Sequence, residues 1–223
     1  MAFHPDKCTK LSISQKKNTI NDDYILQNHT LESVSSSRYL GVTLQSNLKW
    51  TKHIDNITPN GNKSLGFLKR NLKVANTEIN SRAYQALVRP KLEYSCSVWD
   101  LHTKDQQQKL EKVQRREARY VQNNYDYTSS TTAMINTLQW PTLAERRLKT
   151  RLVLFYKIVH CLLAIPSHII VLTDSRTTKD TYKWSCFPNT IIQWNILPQT
   201  VIASTSADCF REQLTPAVLS QLY

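Results

Sequence analysis

Lys104–Asn123, "KDQQQKLEKVQRREARYVQN", decides the fold class. Leu110, Val113 and Val121 recur at helical spacing, and no Gly or Pro interrupts the run. An amphipathic helix over 104–123 follows. On its wheel Lys109, Lys112, Arg115, Arg116 and Arg119 fall opposite the apolar residues. Such a stripe tracks phosphates. The alternative is a solvated face partly paired with Glu111 and Glu117 at helical spacings. Five cations against two acids favour the phosphate-tracking reading.

Outward from this helix the same periodicity recurs. Thr142–Leu163, "TLAERRLKTRLVLFYKIVHCLL", opens on a capping-box pattern, Thr142 with Glu145. Leu148, Leu152, Phe155, Val159 and Leu162 line one face. Arg146, Arg147, Lys149 and Arg151 crowd the first half, and the pattern predicts that most of them are exposed and extend the positive surface. Residues 51–73 carry Ile54, Ile57, Leu65, Leu68 and Leu72, with Pro59-Asn60-Gly61 predicted to give two shorter helices or a break. Residues 77–98 read as a helix capped by Thr77 and kinked at Pro90. A short helix is expected over 131–138, and another near 206–215 capped by Ser206, with Trp194 and Leu197 in the core. Residues 165–186 read as a polar loop.

Residues 1–48 read differently. "CTKLSIS" alternates at Leu11 and Ile13, "DYILQNHTLESV" suggests a hairpin around Gln27-Asn28-His29, and "RYLGVTLQ" suggests a third strand. The expected fold is α+β, mostly α: a small antiparallel β meander over 1–48 packed on a helical bundle over 49–165. An irregular extension with short helices follows over 166–223.

Composition narrows the function classes. Lys and Arg total 29 against 17 Asp and Glu, a net charge of +12 that makes nucleic acid the default partner. The three glycines are scattered, which argues against a phosphate-binding Gly loop. The five cysteines show no Cys-x-x-Cys spacing and the histidines no helical ligand pair, so no zinc site, metal or cofactor is expected. Cys161 reads as core packing. No apolar leader opens the chain and no 18-residue apolar run occurs, so a non-secreted, cytoplasmic or nuclear protein without membrane contact is expected.

"NDDYIL" at 21–26 places paired carboxylates beside a tyrosine, a combination that polymerases use to hold magnesium. Here Asp22 and Asp23 stand at a turn signal before a strand, where Asp is common for local hydrogen-bonding reasons.

An ordered series of blocks carries a resemblance: "FHPDKC" at 3–8, "YLGV" at 39–42, "LKWTKHIDNI" at 48–57, "LGFLKRNL" at 65–72, "LVRPKLEYSCSVWD" at 87–100, "KLEKVQRREARYV" at 109–121, "LQWPTLAERR" at 138–147 and "WNILP" at 194–198. Over nearly its whole length the chain resembles the C-terminal part of non-LTR, LINE-type, jockey-like retrotransposon reverse transcriptases. The resemblance implies the end of the palm, the helical thumb and a C-terminal extension. It places the polymerase aspartates before Met1, so it implies a catalytically incomplete fragment with no catalytic residue of its own. It implies a basic region that binds RNA or RNA–DNA duplex through Lys109, Lys112, Arg115, Arg116, Arg119, Arg146 and Arg147, with no small-molecule substrate. A palm acting in trans is the protein partner it suggests. Two departures stand out: Pro59-Asn60-Gly61, where helix formers are expected, and a shortened stretch between "DSRT" at 174–177 and "CFPNTIIQWN" at 186–195. The alternatives are a transposon relic or predicted gene without activity, whose palm-facing surface lies exposed, and an enzyme of other chemistry. A metal-dependent nuclease, for example, needs converging acids that the sequence does not locate.

Overall fold

A computed structural model describes residues 4, 7–14, 22–73, 76–101, 103–165 and 186–222. The stretch read as a polar loop and the shortened segment lie almost wholly outside the described residues. The chain divides into two compact units, 1–56 and 57–223.

The first unit is built from three two-stranded sheets. β2 (Ile25–Leu26) and β3 (His29–Thr30) form the expected hairpin. Gln27 and Asn28 take φ of 50° and 62°, both positive, as a type I′ turn requires. β5 (Ser36–Tyr39) and β6 (Val42–Gln45) form a second hairpin, with Leu40 at φ 45° and Gly41 at 84°. "YLGV" is therefore a tight turn, not the middle of one strand. Gly41 supplies the positive φ that the turn needs. The third pair departs from the expected meander. β1 (Thr9–Leu11) pairs parallel with β4 (Glu32–Val34), in register Thr9 with Glu32 and Leu11 with Val34. Alternation in a sequence fixes the faces of a strand but not the direction of its partner.

α1 (Thr51–Asn71) begins in this unit. Its first turns are tied to the second hairpin: Thr43 N–H donates to His53 Nδ1 at 3.3 Å, and Asn56 Nδ2 donates to Thr43 Oγ1 at 3.1 Å. Burial, with Arg38 as a second cause, lowers the pKa of His53. The ring is thus held as a neutral acceptor.

α1 then runs unbroken through Pro59-Asn60-Gly61, against expectation. Pro59 forgoes one backbone hydrogen bond, and packing on the far side compensates. A Cβ added to Gly61 would meet Leu92 Cδ2 at 2.7 Å and Val113 Cγ1 at 3.5 Å. Only glycine lets the backbone pass that close.

α2 (Thr77–Leu87) and α3 (Arg89–Glu93) divide at Val88, with Pro90 in the first turn of α3, where its missing N–H costs nothing. The cap of α2 is Asn76, whose Oδ1 accepts from Ile79 N–H at 2.8 Å, one residue before the expected Thr77. α4 (Lys104–Val121) buries Leu110, Val113 and Val121 as expected. α2, α5 (Thr131–Thr137) and α6 (Leu143–Val159) pack against it. Tyr84 stacks on Trp140 at 4.5 Å between ring centroids.

The capping box of α6 is present in both directions. α6 ends at Val159, so Val159 and Leu162 are exposed rather than buried. Cys161, past the helix end at φ 54°, is exposed as well.

The described part of the tail, 186–222, is made of short helices. α7 (Cys186–Ile196), α8 (Gln199–Ile202), α9 (Ala207–Gln213, capped by Ser206) and α10 (Pro216–Ser220) share one core with α6. Phe155 meets Trp194 at 5.1 Å, Tyr156 stacks on Phe210 at 4.6 Å, and Tyr156 Oη donates to Ser204 C=O at 2.5 Å. The boundary between the two compact units falls within α1, and the last four described helices pack on α6. The fold is α+β and mostly α.

Candidate nucleic-acid interface

The stripe on α4 forms as the helical wheel requires. Lys109, Lys112, Arg115 and Arg116 are exposed. Arg116 Nη1 donates to Asn62 Oδ1 of α1 at 3.0 Å, which lays its guanidinium across the groove between the two helices. Arg119 is used differently. It donates to Asp126 C=O at 2.7 Å and to Ser129 C=O at 3.3 Å, so it pins the loop after α4.

Of the two acids expected to neutralise the stripe, Glu117 lies on the buried face and Glu111 is half-buried beside Arg115. Glu111 Oε1 accepts from Ala144 N–H at 3.1 Å, in the first turn of α6. Burial raises its pKa, opposed by that hydrogen bond and by Arg147 and Arg115. Glu117 is 0% exposed, and neither of its oxygens has a hydrogen-bond partner. Burial pushes its pKa up to about 8, with Lys69 pulling the other way. At neutral pH it is a protonated, uncharged group inside the helical unit. Lys69 sits over Tyr120 and Tyr125, at 5.8 and 5.4 Å from their centroids.

α6 does not extend the positive surface as expected. Arg146 is half-buried and holds Glu93 with two nitrogens, Nη2 donating to Oε2 at 3.0 Å. Arg147 is 2% exposed, its guanidinium 5.8 Å from the centre of the Trp99 ring. Arg151 is 4% exposed, paired with Asp100, and donates to Gln193 Oε1 at 2.8 Å. The reason is topological. α6 is covered by α4 on one side and by the C-terminal helices on another, so residues polar on a one-sided wheel lie at a seam. Arg147 therefore leaves the set of surface phosphate contacts, and Arg146 enters a bidentate ion pair.

A second basic feature was not foreseen. Arg146, Lys149 and Arg211 line a cleft of about 470 Å³ walled by Pro141, Leu214 and Leu219. Lys149 Nζ donates to Leu214 C=O at 3.2 Å. Burial, then Arg211 and Arg146, lower its pKa. Arg211 belongs to α9, and nothing in its local sequence signals that it joins α6.

Asp22, Asp23 and Tyr24 are exposed and lead directly into β2 without forming a turn. Lys10 Nζ donates to the backbone carbonyl of Asp22 and lies 4.9 Å from the Tyr24 centroid. Among the described residues no three His, Cys, Asp or Glu side chains converge as a metal site, and no helix is long and apolar enough to cross a membrane. No family model, curated protein or solved structure matches the chain.

Proposed function

We propose that the chain binds RNA or an RNA–DNA duplex through its phosphates, along the exposed face of α4. This is the role that its resemblance to the thumb region of a non-LTR reverse transcriptase implies. The supporting observation is that Glu117 is buried away from the stripe and Glu111 is tied to the first turn of α6. Lys109, Lys112, Arg115 and Arg116 are exposed on one face, while Glu117 is buried and Glu111, half-buried and still in the field of Arg115, accepts from Ala144 N–H. A solvated, self-neutralised face would keep both acids at the surface. Binding of this kind is weakly sequence-specific and steeply salt-dependent.

The test is fluorescence anisotropy of a labelled RNA–DNA hybrid across salt, with the wild type and a variant carrying Lys109→Glu, Lys112→Glu, Arg115→Glu and Arg116→Glu. All four positions are exposed, so the fold should hold. The slope of log affinity against log salt should flatten by about 0.9 for each phosphate that the variant no longer neutralises. An unchanged slope, or no binding at low salt by a folded chain, overturns the proposal.

A second reading has one observation in its favour. In the β unit Ile25 is 67% and Leu40 73% exposed, with Tyr24 and Tyr39 also exposed. A relic whose β segment has lost a covering partner would show such residues. It predicts self-association and no saturable binding in the same titration.

A further inference from the structure

The loop that follows α4, over residues 122–130, holds Tyr127 at 98% exposure, the highest of any large hydrophobic side chain among the described residues. A tyrosine ring in a folded chain ordinarily buries much of its area. A slack loop would let such a ring fold back on the surface, but this loop is tied. Arg119 holds the carbonyls of Asp126 and Ser129. Asn124 Oδ1 accepts from Asp126 N–H at 3.1 Å, and Asn124 Nδ2 donates to Ser129 Oγ at 3.2 Å. The Asp126 carboxylate accepts from Thr128 N–H at 3.0 Å and from Thr128 Oγ1 at 2.8 Å. These bonds bracket Tyr127 and fix the backbone that carries it, so a ligand that meets the ring has little ordering cost to meet.

The place of the loop decides what the ring meets. Arg119 stands four residues after Arg115 and three after Arg116, so it continues the basic face of α4 by one turn. Its guanidinium therefore sets the loop at the C-terminal end of the stripe. From Arg116 to Val121, where α4 ends, is about 8 Å at a rise of about 1.5 Å per residue. That is about two nucleotide steps along one strand, at roughly 3.4 Å each. Between Gln122 and Ser130 the chain has one acid, Asp126, and no cation. The loop thus offers a passing strand an aromatic face and no charged phosphate contact. A base within a duplex has both faces covered by its neighbours, so the ring takes a base only where the strand is unpaired. Every base has a π-face, so the contact selects strandedness and not sequence. Tyr125 is the lesser candidate, since it is 52% exposed and Lys69 lies 5.4 Å from its centroid.

We propose that the preferred ligand is a duplex that ends in a single-stranded extension. The α4 stripe holds the duplex phosphates, and Tyr127 stacks on an unpaired base beyond them. This rests on the α4 phosphate-binding reading and adds the class of nucleic acid that the surface takes.

The experiment is fluorescence anisotropy of the full chain with three labelled RNA–DNA hybrids of one duplex sequence, at one salt concentration. The first is blunt. The second carries about four unpaired nucleotides at each end of its DNA strand, the smallest length that a single-strand site commonly spans. The third carries the same extensions as abasic nucleotides, with equal charge and no bases. Intact extensions should tighten binding about tenfold over abasic ones, as one base–aromatic stack does. Tyr127→Ala should erase that gap, and Tyr127→Phe should keep it. The ring is 98% exposed, so neither change disturbs packing, which circular dichroism checks. Equal affinity for intact and abasic extensions, or a gap that survives Tyr127→Ala, would overturn the proposal. Saturable, salt-dependent binding of all three hybrids alike would end this proposal and leave the α4 reading standing. No binding of any hybrid by the folded chain would end both.

Discussion

Replacing Glu117 by Gln should make the protein more stable at neutral pH. Most buried polar substitutions do the opposite. The carboxyl is 0% exposed, without a hydrogen-bond partner, and its pKa rises from the ordinary 4.5 to about 8 because burial disfavours the charged form. Lys69 of α1 opposes the rise, and Tyr84 of α2 and Tyr120 of α4 feel the carboxyl's field. The native state therefore keeps a proton that the unfolded chain releases above pH 4.5. The folded state binds more protons across that window, so this contribution to stability is full below pH 4.5, declines with rising pH, and is exhausted as pH passes 8. About 2.5 pH units separate 4.5 from 7, at 1.36 kcal/mol each, so keeping Glu117 neutral costs about 3 kcal/mol at pH 7. Gln has nearly the same volume and never titrates. Its unsatisfied amide costs about as much as the unsatisfied carboxylic acid it replaces. Glu117→Gln should thus gain about 2–3 kcal/mol at pH 7 and almost nothing at pH 4.5. Urea unfolding of both proteins at pH 5, 6, 7 and 8 reads this directly, and the difference between them isolates Glu117 from every other titrating group. A pH-independent difference, or a variant less stable at pH 7 by more than about 1 kcal/mol, would refute the reasoning.

Two substitutions of glycine in α1 should have opposite signs. Gly66→Ala meets only Arg70 Nη1, at 3.5 Å, and should stabilise by up to about 1 kcal/mol through helix propensity. Gly61→Ala places a methyl 2.7 Å from the buried Leu92, and its packing cost of about 1–3 kcal/mol should outweigh the same gain. Thermal melting of both variants decides. Asp100→Ala leaves Arg151 buried without its carboxylate and should cost about 3–5 kcal/mol, a large part of which Asp100→Ala with Arg151→Met should restore. A double variant as unstable as the single would show that the pair is not what Asp100 holds in place.

What the sequence made legible was local. The capping box at Thr142, the Ser206 cap and the buried face of α4 could all be read, because each rests on residues within a turn or two of one another. What stayed hidden depended on a neighbour far along the chain. Arg147 and Arg151 look like surface cations on a helix covered on one side, and the second cover arrives with α7 to α10. Glu117 stands four residues after Val113 and four before Val121, so helical spacing already places it on the buried face, and only its charged side chain argues for the surface. Pro59-Asn60-Gly61 reads as a break by composition, and only the close approach of Leu92 explains why a glycine sits inside an intact helix. The direction of β1 against β4 leaves no trace in alternation. In the candidate interface, the four exposed cations were legible. The tie of Glu111 to the first turn of α6 was not.

The shared core of α6 and the last helices sets a delay during synthesis. Leu148, Leu152, Phe155 and Tyr156 leave the ribosome long before Leu219 and Leu222, which complete their cover. Elongation at about 5–20 residues per second puts roughly 4–15 s between the two. For that interval the nascent chain carries a bare apolar face, and a chaperone that binds such faces has its longest opportunity there.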